Sequence, residues 1–224
     1  MHRVFIPEEV IAQVEAQRGK VNRYESISGP NTALLVIDLQ NVFMLPGMPI
    51  EVPATRGIVP NVNRLADAVR KAGGRVIWVK MSLQGQTDEW SAFFATDPRP
   101  SSLAELQPGS QGFELHAALD VRPEDTILVK KRFSAFIQGS SDVDQVLRAA
   151  GVDTIVIAGT VTNVCCESSA RDAMMLNYRV VFVADATAAL SDAEHNATLV
   201  NMVRVFADVR RTDEVIEILS RSRA

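Results

Sequence analysis

Short, wholly apolar runs recur along this chain, and a segment with helical periodicity follows each of them. The first lies in Thr32 to Leu39 (TALLVIDL), where Ala33 to Ile37 is unbroken by any polar residue. A strand with one wet face would alternate, so a continuous run predicts a strand buried on both faces. Asn61 to Lys71 reads as an amphipathic helix ended by Gly73-Gly74, and Arg75 to Val79 as a second strand. The pattern continues with strands at Thr126–Val129, Thr154–Ala158 and Arg179–Val183, and a short one at Asp208-Val209. Helices are expected over Asp142–Ala150, about Asn163–Asn177, Ala193–Val205 and Thr212–Arg221. Strands alternating with helices predict an α/β fold, a parallel sheet covered on both faces.

The chain divides unevenly. Residues 1–31 read as an N-terminal extension, with a helical pattern over Pro7–Arg18 (Val10, Ile11, Val14) and a link through Gly29-Pro30. It is expected to cover a surface or join a subunit contact. Residues 32–224 form the single domain that a chain of 224 residues allows. Ser82 to Gly112 is long and irregular, with Trp90, Phe93 and Phe94, and is read as a substrate lid or a solvated insertion.

A net charge of -4 with no basic stripe argues against a nucleic-acid partner. The apolar runs are far too short for a bilayer, and the N-terminus lacks the apolar core of a secretory signal, so no membrane role is expected. The two cysteines, Cys165 and Cys166, are adjacent. They cannot staple distant segments and lack zinc spacing. A reducing, cytoplasmic setting follows.

In a parallel α/β sheet, function gathers at the carboxyl ends of the strands. Asp38 follows the first strand, Lys130 the third, and Cys165 the fourth. A thiol is a poor nucleophile at neutral pH. A lysine ammonium and the first turn of a helix would favour its thiolate, and a carboxylate could move its proton. Each residue also has a plainer reading: a packing cysteine, an aspartate that turns the chain, a surface lysine. The residues alone leave both readings open.

Three strings carry a resemblance. LLVIDLQNVF (Leu34–Phe43), VKKRFSAF (Val129–Phe136) and AGTVTNVCCESSARDA (Ala158–Ala173) resemble, in this order, the motifs of the isochorismatase-like cysteine hydrolases. The resemblance covers roughly Thr32 to Val209. It implies a three-layer α/β/α sandwich with a six-stranded parallel sheet and a catalytic triad of Asp38, Lys130 and Cys165. It also implies a cis peptide at Thr160–Val161 and an oxyanion hole from the backbone N–H groups of Val161 and Cys165. Lys131 sits where the family varies, and Cys166 where it usually has an aliphatic residue.

The metal-binding nicotinamidase branch places an aspartate and several histidines after the first strand. This chain has only His2, His116 and His195, so no metal and no cofactor are expected. True isochorismatases lack the cysteine and cleave a vinyl ether, so Cys165 points to C–N bond chemistry. The TNVC-x-ES string looks closest to ureidoacrylate and N-carbamoyl amide hydrolases. The expected partner is therefore a small amide or ureido substrate, with the chain acting as a homo-oligomer, dimer or tetramer. Phe43, Trp90 and Phe136 are candidate pocket residues. His195 is read as a solvated residue near a helix cap. Dinucleotide binding and a serine triad are disfavoured, since neither G-x-G-x-x-G nor G-x-S-x-G occurs. Nicotinamidase-like or isochorismatase-type chemistry and a non-catalytic protein of the same fold are the alternatives.

Overall fold

The computed structural model describes residues 1–84 and 104–221. Most of the stretch read as a lid, including Trp90, lies outside the described residues.

Six strands, β1 (Thr32–Ile37), β2 (Arg75–Met81), β3 (Thr126–Lys130), β4 (Thr154–Thr160), β5 (Arg179–Ala188) and β6 (Asp208–Arg210), form one sheet. Its order is β3-β2-β1-β4-β5-β6, and every pairing is parallel. The apolar runs are explained by the two layers around it. Leu34 and Val36 of β1 enter one buried cluster, while Ala33, Leu35 and Ile37 enter the other. Helices α3 (Thr55–Lys71) and α7 (Thr212–Ser220) cover the first face through Ile58, Val62, Leu65, Val215 and Ile218. Helices α4 (Val143–Ala149), α5 (Glu167–Met175) and α6 (Asp192–Asn201) cover the second through Val143, Leu147, Ala170, Ala173 and Leu199. The architecture is the three-layer α/β/α sandwich that the motifs implied. Among the described residues no helix is long and apolar enough to cross a membrane.

Several boundaries differ from the sequence reading. Helix α3 starts at Thr55 and runs through Pro60, because Ile58 and Val59 extend its buried stripe by two turns. That burial outweighs the hydrogen bond lost at the proline. Strand β5 continues to Ala188. A register shift after Ile157 lets Gly159 pair with Thr187, so the Ala-rich end of β5 reaches the carboxyl edge beside β4. The helix expected from Asn163 begins instead as a π-helical turn, Thr162–Cys166, before α5; a second such turn, Met202–Phe206, follows α6. Apolar spacing cannot distinguish a π-turn from the first turn of an α-helix. A further short helix, α2 (Asn41–Met44), follows β1 directly.

The N-terminal residues pack along the second face. In α1 (Glu8–Arg18) Val10 and Val14 are buried, and Arg18 donates to the Val203 carbonyl in the second π-turn. Backbone N–H groups of Arg23 and Tyr24 donate to the Asp208 carboxylate.

Order 3-2-1-4-5-6 has its reversal between β1 and β4, where adjacent connections leave in opposite directions and open a crevice at the carboxyl edge. Gly159 makes the two strands meet there. It pairs with Ile37 at φ 120°, and a Cβ at this position would lie 2.0 Å from the Ile37 carbonyl oxygen. No side chain fits, so this glycine of the third motif is required by backbone approach.

Candidate active site

Three strand ends deliver three side chains to this crevice. Asp38 leaves β1 in the left-handed region at φ 54°, a conformation that aspartate tolerates better than most residues, with its N–H bonded to the Val79 carbonyl. Lys130 is the last residue of β3, in register with Met81 of β2. Cys165 stands on the π-turn after β4. The Lys130 ammonium is 2.8 Å from Asp38 Oδ2, 3.4 Å from Cys165 Sγ and 3.3 Å from Met81 Sδ, and it donates to the Arg132 carbonyl at 3.2 Å. Lys130 and Asp38 are wholly buried and Cys165 nearly so. Neither Asp38 oxygen has a hydrogen bond of good geometry among the described residues, so charge chiefly holds the pair. Lys131 is exposed, its backbone N–H bonded to the Ser140 carbonyl.

Burial raises the Asp38 carboxyl above its usual range, although Lys130 and the Cys165 thiol oppose the rise. Burial acts on Lys130 in the other direction, but the attraction of Asp38 and Cys165 prevails and holds the ammonium above its ordinary value. The Cys165 thiol is pushed up to about 12 by burial and by the Asp38 carboxylate, with Lys130 only partly compensating. This corrects the expectation of a thiolate. Burial and the Asp38 carboxylate thus oppose the thiolate that Lys130 by itself would favour. Iodoacetamide is accordingly expected to alkylate Cys165 more slowly than a free cysteine at pH 7, with the rate still climbing above pH 9. Mass mapping of the labelled peptide checks this, and fast labelling below pH 7 would contradict it.

The Thr160–Val161 peptide is cis, and the Val161 carbonyl accepts from the N–H groups of Val164 and Cys166. Cys166 is fully buried in the cluster that holds Ala170 and Ala173. Phe136 belongs to the same cluster, its ring tilted against Tyr178 with centroids 5.8 Å apart. Phe43 lies in α2, in the cluster on the opposite face. Both phenylalanines are buried by packing in this structure, and Trp90 falls outside the described residues.

Two further buried groups were given no role at the site by the sequence reading. Gln40 is fully buried; its amide donates to the carbonyls of Met81 and Phe113, and its carbonyl oxygen accepts the Met81 N–H at 2.6 Å. It ties the end of β2 to the residue 113 loop beside Lys130. The glutamine of the first motif was the available signal, since a buried amide must find backbone partners. His195 is the second, and here the sequence reading is corrected. It is fully buried in α6, and its Nδ1 lies 3.0 Å from Thr162 Oγ1. The π-turn folds against α6 and takes His195 out of solvent. Among the described residues, no three His, Cys, Asp or Glu side chains group as a metal site would require.

The isochorismatase domain profile matches residues 32–214. A probable inactive nicotinamidase of Arabidopsis thaliana is 36% identical over 177 residues, covering 78% of this chain and 89% of that protein. The ureidoacrylate amidohydrolase of Agrobacterium fabrum is 30% identical over 209 residues, covering 85% of this chain and 91% of that protein. The crystal structure of a cysteine hydrolase from Pseudomonas syringae superposes with a TM-score of 0.82 at 32% identity, covering 90% of this chain and 97% of that one.

Proposed function

The chain belongs to the isochorismatase-like hydrolase family, and from that premise we propose that it hydrolyses a C–N bond in a small amide or ureido compound, with Cys165 as nucleophile. One observation carries the reading: the Asp38 carboxylate and the Cys165 thiol, from two strand ends, lie 2.8 and 3.4 Å from the Lys130 ammonium at a third. A charged pair buried this completely is costly to fold, and its position at the carboxyl edge gives it chemical use.

In the proposed reaction the thiol proton moves to Asp38 as Cys165 Sγ bonds to the substrate carbonyl carbon. Charge therefore develops on sulfur only as the bond forms, where the Lys130 ammonium stabilises it. The carbonyl oxygen becomes an oxyanion, held by the backbone N–H groups of Val161 and Cys165. Asp38 returns its proton to the leaving nitrogen, the C–N bond breaks, and an acyl thioester remains. Water then attacks the thioester and gives a proton to Asp38, and the departing sulfur recovers it. Ammonia forms directly from a primary amide, or from the carbamate that a ureido substrate yields. Of the candidate pocket residues, Phe136 and Phe43 are proposed to bound the substrate from the two faces of the sheet in whose clusters they pack. Two free, buried thiols suit a reducing cytoplasm.

A non-catalytic reading draws on the name of the plant relative. The intact Asp38, Lys130 and Cys165 weigh against it. Ammonia release across ureidoacrylate, N-carbamoyl amino acids, biuret, maleamate and nicotinamide is the test. Turnover of at least one amide or ureido compound is expected, undiminished after dialysis against a chelator. Hydrolysis of an ester or vinyl ether alone would move the protein to another reaction class. Loss of activity on chelation, restored by a divalent ion, would rule out the metal-free mechanism.

A further inference from the structure

The first residues of the chain return to the carboxyl edge of the sheet. The Met1 backbone nitrogen lies against Gly57 of α3, so close that a Cβ on Gly57 would come within 2.7 Å of it. His2 then seals the end of β5. Its Nε2 lies 2.9 Å from the Ala189 backbone nitrogen and 3.2 Å from the Ala189 carbonyl oxygen, and its Nδ1 lies 2.7 Å from Asp192 Oδ1. So fixed, the His2 ring stacks on His195, with centroids 4.6 Å apart and planes inclined by 20°. Phe5 N–H donates to the Asn196 side chain, whose amide donates back to the Arg3 carbonyl, so the residues that follow His2 are held along α6.

Beneath His2, His195 Nδ1 meets Thr162 Oγ1. Thr162 is the first residue of the π-turn that carries Cys165 and is itself fully buried. On its other side, Thr160 Oγ1 donates to the Ala188 carbonyl, one residue before the point where His2 binds. The strap therefore touches one anchor of this turn, His195, directly and binds the residue next to the other, Ala188. Burial brings the His195 pKa down to about 4, so the ring packed between His2 and Thr162 stays neutral at pH 7.

We propose that His2 and His195 are positioning residues: the stacked pair fixes the Thr162 hydroxyl, and through it the π-turn that places Cys165 against Asp38 and Lys130. The N-terminal strap is then a working part of the active site. The inference rests on Cys165 being the nucleophile, and the experiment includes a readout that needs no substrate.

Thr162→Val and His195→Leu are each expected to lower kcat about 10- to 100-fold with KM within about twofold, because a misplaced nucleophile costs rate rather than binding. Both should also speed iodoacetamide labelling of Cys165, as a loosened turn exposes the thiol. Thr162→Ser and His195→Asn, which keep a hydrogen-bonding atom at each position, should restore most of both properties. The double variant Thr162→Val/His195→Leu should be little worse than either single one, and His2→Ala should show a weaker form of the same change. Val14→Ala, in the same extension but away from the pair, serves as the stability control and should alter Tm without altering kcat or labelling. Unchanged labelling and kcat in Thr162→Val and His195→Leu would overturn the proposal. So would losses that follow Tm equally in Val14→Ala, or no recovery in folded Thr162→Ser. If no amide is hydrolysed at all while labelling still responds as described, the substrate assignment fails and the positioning role stands.

Discussion

Cys165→Ala is expected to reduce turnover by about 10,000-fold or more, the scale on which loss of a covalent nucleophile acts, while leaving the protein folded. Cys166→Ala should retain activity within a few-fold and lose roughly 1 kcal/mol of stability. The two sulfurs are adjacent in sequence but face different surroundings. Cys165 Sγ lies 3.4 Å from the Lys130 ammonium, whereas Cys166 is packed with Ala170 and Ala173 against the sheet. Burial and the neighbouring Cys165 raise the Cys166 thiol well above its ordinary value, so it gives no competing nucleophile. Steady-state kinetics with thermal melts of both variants decides the matter. An active Cys165→Ala protein would transfer the chemistry to another group.

Lys130→Ala should be nearly as damaging, and for two reasons that separate experimentally. It removes the charge that stabilises sulfur during attack, and it strands Asp38, wholly buried, without its counter-charge. Breaking a buried pair on one side typically costs about 3–5 kcal/mol, and Asp38 would then take up a proton and cease to act as a base. Lys131→Ala, one residue away on the surface, should change little in either activity or melting. The double variant Asp38→Asn/Lys130→Met, which removes both charges, should recover much of the lost stability and none of the activity. Equal kinetic losses in folded Lys130→Ala and Lys131→Ala would refute the placement of the motif. Recovery of turnover in the double variant would refute the roles of the pair.

The strands were legible because burial on both faces leaves little latitude in composition. Ala33–Ile37 must be apolar in either cluster, and that requirement is written locally. Asp38 and Lys130 were legible as candidates because each stands directly after such a run, and Cys165 because it follows one within a string of recognisable neighbours. Their meeting point was not. It depends on the order β3-β2-β1-β4-β5-β6, set by pairings such as Ile37 with Gly159 that join residues far apart in the chain. The extension of β5 was hidden for a related reason: its last residues, ADATA, are not strand-like by composition and become a strand only beside the shifted register of β4.

The same division separates chemical identity from chemical state. That this chain carries a thiol, a carboxylate and an amine at strand ends follows from residue order alone. Whether the thiol is charged does not. A pKa is set by the water removed and by the charges brought near, and both belong to the folded arrangement. Burial and the Asp38 carboxylate push the Cys165 thiol up, against the thiolate that a neighbouring lysine alone would favour. His195 shows the same dependence, since its sequence neighbours are mostly polar and it is taken out of solvent where the π-turn and the N-terminal strap close over it. Local sequence specifies which groups are available; the tertiary structure decides their solvation and their neighbours, and so what each of them can do.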